Sequence, residues 1–207
     1  MKKIWILLLL FISLKVNAQF EIGLNAGVAF NHTNKDDERF YRFGNYTSFY
    51  PEINAGYSFN DHWSVHGGFG FSSKGYKVTP VPGDETAGEK EAYCKFRYFS
   101  VPLSLAYGRS VKSFYGKLSA GVQPNFLYRQ NAPVRYEEDF RQMNLTVGIL
   151  LGAEIGYLLS DKLRLHIAYR YNPDLNDADK WERQGRFRSN IIMVGVTYVV
   201  EQLKQKM

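Results

Sequence analysis

The sequence predicts an all-β fold: an eight-stranded antiparallel up-and-down transmembrane barrel preceded by a cleaved signal peptide. Three observations predict it. From Phe20 onward, apolar residues alternate with small or polar ones at the two-residue spacing of a strand. Glycines fall repeatedly on the polar phase of that alternation. Aromatic residues make up 16% of the chain, which is high for a soluble domain and suits the Tyr and Phe girdles of membrane barrels.

The leader comes first. Lys2 and Lys3 form a basic start, Ile4 to Leu14 an apolar run, and Val16-Asn17-Ala18 a small-residue cleavage site that leaves Gln19 as the mature N-terminus. The run is too short for a membrane-spanning helix, which needs about 20 apolar residues, and Lys15 interrupts it. Residues 1–18 therefore read as signal peptide and 19–207 as one barrel domain. Cys94 is the single cysteine and lies far from the cleavage site, so neither a lipid anchor at the mature N-terminus nor an internal disulfide is expected. Loss of Lys2, Lys3 and Lys15 takes the net charge from +6 to +3, too small an excess to suggest nucleic acid as a partner.

Eight segments follow. The first places Ile22, Leu24, Ala26, Val28 and Phe30 on one face; the second Phe49, Ile53, Ala55, Tyr57 and Phe59; the third Trp63, Val65, Phe69 and Phe71. The fourth carries Phe99, Val101, Leu103, Leu105 and Tyr107, the fifth Phe114, Leu118, Ala120, Val122 and Phe126, and the sixth the odd positions from Leu145 to Tyr157. The seventh carries Leu163, Leu165, Ile167, Tyr169 and Tyr171, and the eighth Ile192, Val194, Val196 and Tyr198. Short turns near Asn60-Asp61-His62, Gly108 to Ser113 and Ser160-Asp161 alternate with long polar loops near Asn31 to Thr47, Lys77 to Glu91, Gln130 to Gln142 and Asn172 to Arg186. That is the layout of a bacterial outer-membrane barrel with periplasmic turns, four extracellular loops and both termini in the periplasm. A closed sheet also satisfies every backbone N–H and C=O inside hydrocarbon.

The small residues decide which face is inside. Gly23, Gly27, Gly56, Gly68, Gly70, Gly121, Gly148, Gly152 and Gly156 all lie on the polar phase, where a narrow barrel has little room. The aliphatic phase then faces lipid, against the lipocalin-like alternative in which it would line a ligand cavity. On the lumen phase stand Glu52, His66, Lys74, Lys117, Glu154, Arg164, His166 and Arg170, expected to form a neutralising polar network because buried charges persist only when paired. Within it, the 159–163 hairpin register suggests a Glu154–Arg164 pair.

The chemical motifs are sparse. His32 beside Ser48, His62, His66 and His166 are the candidates for a catalytic triad, yet there is no Gly-x-Ser-x-Gly elbow, and no catalytic residue is assigned. No two histidines stand at ligand spacing, and the mixed-charge stretch 34–39 reads as solvated, so no metal or cofactor is expected. Phe40, Tyr41, Phe43, Tyr46, Phe49 and Tyr50, interleaved with Arg39 and Arg42, and Trp181, Arg183, Arg186, Phe187 and Arg188 read as girdle aromatics; the other reading is a binding surface, whose cations would meet lipopolysaccharide phosphates. An eight-stranded lumen is filled by side chains, so solute conduction is not expected.

The run Phe96-Arg97-Tyr98-Phe99-Ser100-Val101-Pro102-Leu103 resembles the strand-four signature of PorT-type, porin-family outer-membrane β-barrel proteins of Bacteroidetes. The leader ending in Asn17-Ala18-Gln19, the run Val147 to Glu154 and the run Leu165 to Tyr171 are similar to theirs as well. Two features depart: the chain continues past Tyr198-Val199-Val200 into Glu201 to Met207, and the family's Tyr-Gly-Leu followed by Asn reads Tyr171-Asn172-Pro173-Asp174-Leu175-Asn176. The resemblance implies an outer-membrane barrel, with one branch of the family assisting protein secretion and gliding. Expected partners are outer-membrane lipids and lipopolysaccharide, the barrel-insertion machinery during biogenesis, and a secretion-apparatus or extracellular protein. The expected function is a non-enzymatic envelope-structural or interaction role, with a secretion accessory and a lipid-modifying enzyme as alternatives.

Overall fold

A computed structural model describes residues 19–33, 41–80, 91–131, 144–175 and 186–200. The expected signal peptide, the stretch 34–39, Phe40, Trp181 and Arg183 lie outside the described residues. Among the described residues ten strand segments run in chain order: β1 (Gln19–Thr33), β2 (Tyr41–Gly44), β3 (Tyr46–Ser58), β4 (Trp63–Pro80), β5 (Ala92–Ser100), β6 (Leu103–Val111), β7 (Phe114–Asn131), β8 (Leu145–Leu158), β9 (Leu163–Pro173) and β10 (Phe187–Val200). All pairings are antiparallel, and β10 pairs with β1 to close the sheet.

The ten segments make eight staves. β2 and β3 are one stave whose register on β4 slips by a residue between Gly44↔Lys77 and Glu52↔Gly70. β5 and β6 are another, interrupted at Val101-Pro102 because proline has no N–H to give the ladder. The wall stays sealed there: Val101 donates to the Pro124 carbonyl and Gly68 to that of Pro102, both at 2.9 Å.

The alternation of faces follows the expected parity. Phe49, Leu118 and Ile155 expose about two thirds of their surface (65%, 65% and 68%), whereas Glu21, Glu52 and Lys74 on the opposite phase expose 4%, 3% and 1%. Outward aromatics gather in two belts. Tyr57 with Phe59, Trp63 with Tyr107, and Phe114 with Tyr157 ring the short-turn end; Phe69, Phe71, Phe99 and Tyr128 cluster toward the other, their centroids 4.4–6.5 Å apart. Such belts mark the two interfaces of a membrane.

The turns differ in detail from expectation. Phe59 N–H donates to the Trp63 carbonyl at 2.9 Å, and Asn60 Oδ1 accepts from the N–H groups of His62 and Trp63. The turn placed at Gly108 to Ser113 is tighter: β6 runs to Val111, opposite Phe114, and Lys112 takes the left-handed backbone (φ 56°) that two-residue hairpins demand.

The long loops are narrower than the sequence suggests. Asn31 to Thr33, Tyr41 to Gly44, Tyr46, Thr47, Lys77 to Pro80, Gln130, Asn131, Asn172 and Pro173 are strand. Here the staves rise beyond the lipid, so neither face need be aliphatic outside and the apolar–polar contrast fades from the sequence while the ladder continues. The same effect hid the aromatic run from Tyr41 to Tyr50. From Phe43 to Tyr50 it divides between the faces across the register slip: Phe49 points to lipid, Tyr50 is fully buried in the lumen, and Phe43 packs on a lumen cluster.

Candidate functional site

The lumen is stacked in storeys from the short-turn end upward. At the bottom Glu21, from β1, is the hub: its Oε1 accepts from Lys117 Nζ at 2.9 Å and lies 3.5 Å from His66 Nδ1, while its Oε2 accepts from Arg164 Nη1 at 3.0 Å. Tyr115 lies beneath both cations, 5.5 Å from Lys117 and 5.7 Å from Arg164. A glycine makes this meeting feasible. Glu21, Gly56 and His66 are consecutive partners across β1, β3 and β4, and a Cβ on Gly56 would sit 2.7 Å from both Glu21 Cγ and His66 Nδ1.

One storey higher, Glu52 takes a two-pronged bond from Arg170, with Nη1 to Oε2 at 2.5 Å and Nη2 to Oε1 at 3.1 Å. Tyr50 Oη donates to the same carboxylate at 2.8 Å and Asn25 Nδ2 at 3.2 Å. Since the Asn25 amide nitrogen is committed to Glu52, its oxygen faces His166, and Nε2 of that imidazole donates to it at 2.8 Å. Gly195 stands between Asn25 and His166 in the cross-strand row, as Gly56 does below.

Above lies a neutral layer, Asn125 with Ser100, Gln123 and Thr146, and then the ion pair Lys74–Asp174 at 2.5 Å, its side chains 2% and 0% exposed. Tyr98 faces Lys74 at 5.7 Å. The top is apolar: Tyr76, Val78, Cys94, Phe96, Tyr98 and Phe187 form a lid inside the barrel. The sequence rhythm puts small or polar residues on the inner phase, and this cluster departs from it where the staves rise beyond the lipid.

Each expected lumen residue faces the barrel interior, but the partners differ. Glu154 and Arg164 share the lumen without pairing: Arg164 goes to Glu21, and Glu154 approaches Lys117 at 3.8 Å. The register puts Glu154 opposite Ala168, diagonal to His166, which leaves Arg164 four positions off. Glu21 is absent from the expected network, although it follows the outward Phe20 and shares the parity of Gly23 and Asn25, which is the signal that places it inside. His32 and Ser48 do not meet. His32 is exposed on the outer phase, while Ser48 Oγ donates inward to the Ser73 carbonyl at 2.6 Å.

One constellation has the composition of a hydrolase relay: Ser64 Oγ lies 2.8 Å from His66 Nε2, and His66 Nδ1 faces Glu21. Its carboxylate is already held by Lys117 and Arg164, and so has little charge left to stabilise an imidazolium. The hydroxyl is buried, and the adjoining cavity of about 60 Å³, lined by Asn25, Glu52, Asn54, His66 and Lys117 among others, has room for about four waters and not for a lipid.

The family model for the outer membrane protein β-barrel domain matches residues 15–180. The chain belongs to that family. It is thereby a bacterial outer-membrane barrel. Among solved structures it resembles Neisserial surface protein A, at 18% identity and TM-score 0.54, covering 87% of this chain and 97% of that one. It also resembles AlkL in lipid bilayers, at 13% identity and TM-score 0.53 over 93% and 94% of the two chains. Outer membrane protein W of E. coli matches at 12% identity and TM-score 0.50 over 90% and 100%. At these identities the likeness is one of fold. No curated protein matches significantly.

Proposed function

We propose that this barrel is a non-enzymatic envelope protein: its lumen is a structural core, its working surface is the set of four extracellular loops, and both termini lie in the periplasm. The observation that carries the reading is the closure of the lumen. Two charged storeys around Glu21 and Glu52, the Lys74–Asp174 pair and the aromatic lid stand one above another among the described residues, and the cavity lined by Glu52, His66 and Lys117 is only about 60 Å³. A permeation path would break several buried ion pairs at once, each strongly destabilising to separate.

Planar-bilayer recording of the refolded mature chain tests this. A silent membrane at protein loads that give heat-modifiable, folded barrel is expected; stepwise openings would refute the sealed lumen. The reading includes export through the leader 1–18, with Gln19 first in the mature chain, which N-terminal sequencing of the outer-membrane protein checks. Membership of the PorT-type branch of Bacteroidetes is supported by the run Phe96 to Leu103. A secretion-accessory role for that branch predicts copurification of a secretion complex from the native envelope.

A further inference from the structure

The outer wall carries a cluster of cations that neither the lumen nor the girdles account for. On β5 and β7, Arg97 and Arg129 are direct cross-strand partners. Facing residues share one side of a sheet, and like charges in that position repel. Both point outward: Arg97 lies between the buried lumen residues Phe96 and Tyr98, and Arg129 is exposed.

A register break creates the pair. On β7, Asn125 and Leu127 face inward, so uninterrupted alternation would turn Arg129 inward as well. The ladder shifts between Arg97 and Tyr98, passing from Tyr98↔Leu127 to Arg97↔Arg129, and Tyr128 is the extra residue. Tyr128 and Arg129 therefore both project outward. Bulges that re-aim a side chain are built features, and this one produces an arrangement the wall alone would disfavour.

Lys95 adds a third cation on the next outward position of β5, its ammonium 5.4 Å from the Tyr93 ring and 5.8 Å from Tyr46. Among the described residues no carboxylate pairs with Arg97, Arg129 or Lys95; Glu91 is taken by Lys77 at 2.6 Å.

Height relative to the lipid identifies the occupant. The Arg97–Arg129 rung lies one outward step, about 7 Å of strand, beyond the Phe99–Phe126 rung. From Tyr107 in the periplasmic belt to Arg97 the stave climbs about 33 Å, or about 25 Å along the membrane normal at a tilt near 40°, the height of a barrel's apolar band. The cations thus stand at the outer-leaflet interface, directly over the aromatic patch of Phe69, Phe71, Phe99 and Tyr128.

We propose that Arg97, Arg129 and Lys95 form a clamp for the phosphate of a phosphorylated glycolipid in the outer leaflet, whose acyl chains lie down the aromatic patch below. Two guanidinium groups on adjacent strands suit a phosphate with several acceptor oxygens, and its charge relieves their repulsion. The inference rests on the membrane reading of the barrel.

Native mass spectrometry of the folded mature chain in detergent, titrated with lipid A, with enzymatically dephosphorylated lipid A and with lipid A plus millimolar inorganic phosphate, tests it. Wild-type protein is expected to bind lipid A on the order of ten- to a hundredfold more tightly than the dephosphorylated form, with the preference abolished in R97Q/R129Q and partly restored in R97K/R129K. Inorganic phosphate is expected to compete poorly, because it lacks the acyl chains. Equal binding of both lipids by wild type, an undiminished preference in R97Q/R129Q, or full competition by inorganic phosphate would each overturn the clamp. Heat-modifiable migration of every sample separates such a result from failure of the barrel reading itself.

Discussion

Replacing Glu21 by glutamine tests the lumen where it is most concentrated. The substitution keeps the shape of the side chain and removes the carboxylate shared by Lys117 at 2.9 Å, Arg164 at 3.0 Å and His66 at 3.5 Å. The side chains of Lys117 and Arg164 are 14% and 20% exposed, so neither is fully hydrated once its partner is gone. Breaking a buried pair costs about 3–5 kcal/mol. The lower end applies because Lys117 keeps Glu154 at 3.8 Å and the neighbouring cavity admits water. A loss of about 3 kcal/mol is roughly a 150-fold shift toward the unfolded chain. Urea titration of folding into lipid vesicles, followed by heat-modifiable migration and by fluorescence of Trp63 in the short-turn belt, measures it. The Glu21→Gln, Arg164→Gln double variant should lose less than the sum of the single losses, since the second change removes a charge the first one orphaned. A single-variant loss under about 0.5 kcal/mol, the range of ordinary surface changes, would show that the hub contributes nothing to stability.

Three further outcomes follow from the same geometry. Lys74→Ala orphans the Asp174 carboxylate in the upper lumen and should cost about 3–5 kcal/mol in the same titration, while Lys77→Ala, whose pair with Glu91 is exposed, should cost under about 1 kcal/mol. Gly56→Val drives a branched side chain between Glu21 and His66 and should lose at least about 1–3 kcal/mol, with Gly67→Val on the outer face much milder. Ser64, despite its bond to His66, should resist a fluorophosphonate probe in the folded barrel; covalent labelling lost in Ser64→Ala would revive a hydrolase reading.

Much of this protein is legible in its sequence, and the reason is periodicity. In a membrane barrel lipid demands an aliphatic outer face on every stave, so strand number, the two faces, the three short turns and the inward direction of Glu52, His66, Lys117, Glu154, Arg164, His166 and Arg170 all follow from a two-residue rhythm. Where lipid ends the rhythm weakens, and the strand extensions at Tyr41 to Gly44 and Lys77 to Pro80 passed for loop. The inward turn of Tyr50 and Phe187 was lost with them.

Partner choice inside the barrel was decided by tertiary structure. Direction is a property of one strand, but a contact depends on stagger around the closed sheet, which brings Glu21 of the first strand to Arg164 of the ninth and Lys74 of the fourth to Asp174 just past the ninth. Glycines at Gly56 and Gly195 then determine which polar side chains reach across a row. The same holds on the outer wall, where a single extra residue, Tyr128, turns Arg129 from the lumen toward the lipid interface beside Arg97. Along an unbroken stave sequence alternation determines which way a side chain points, whereas closure of the barrel determines what it meets, and a one-residue register slip reverses the direction itself.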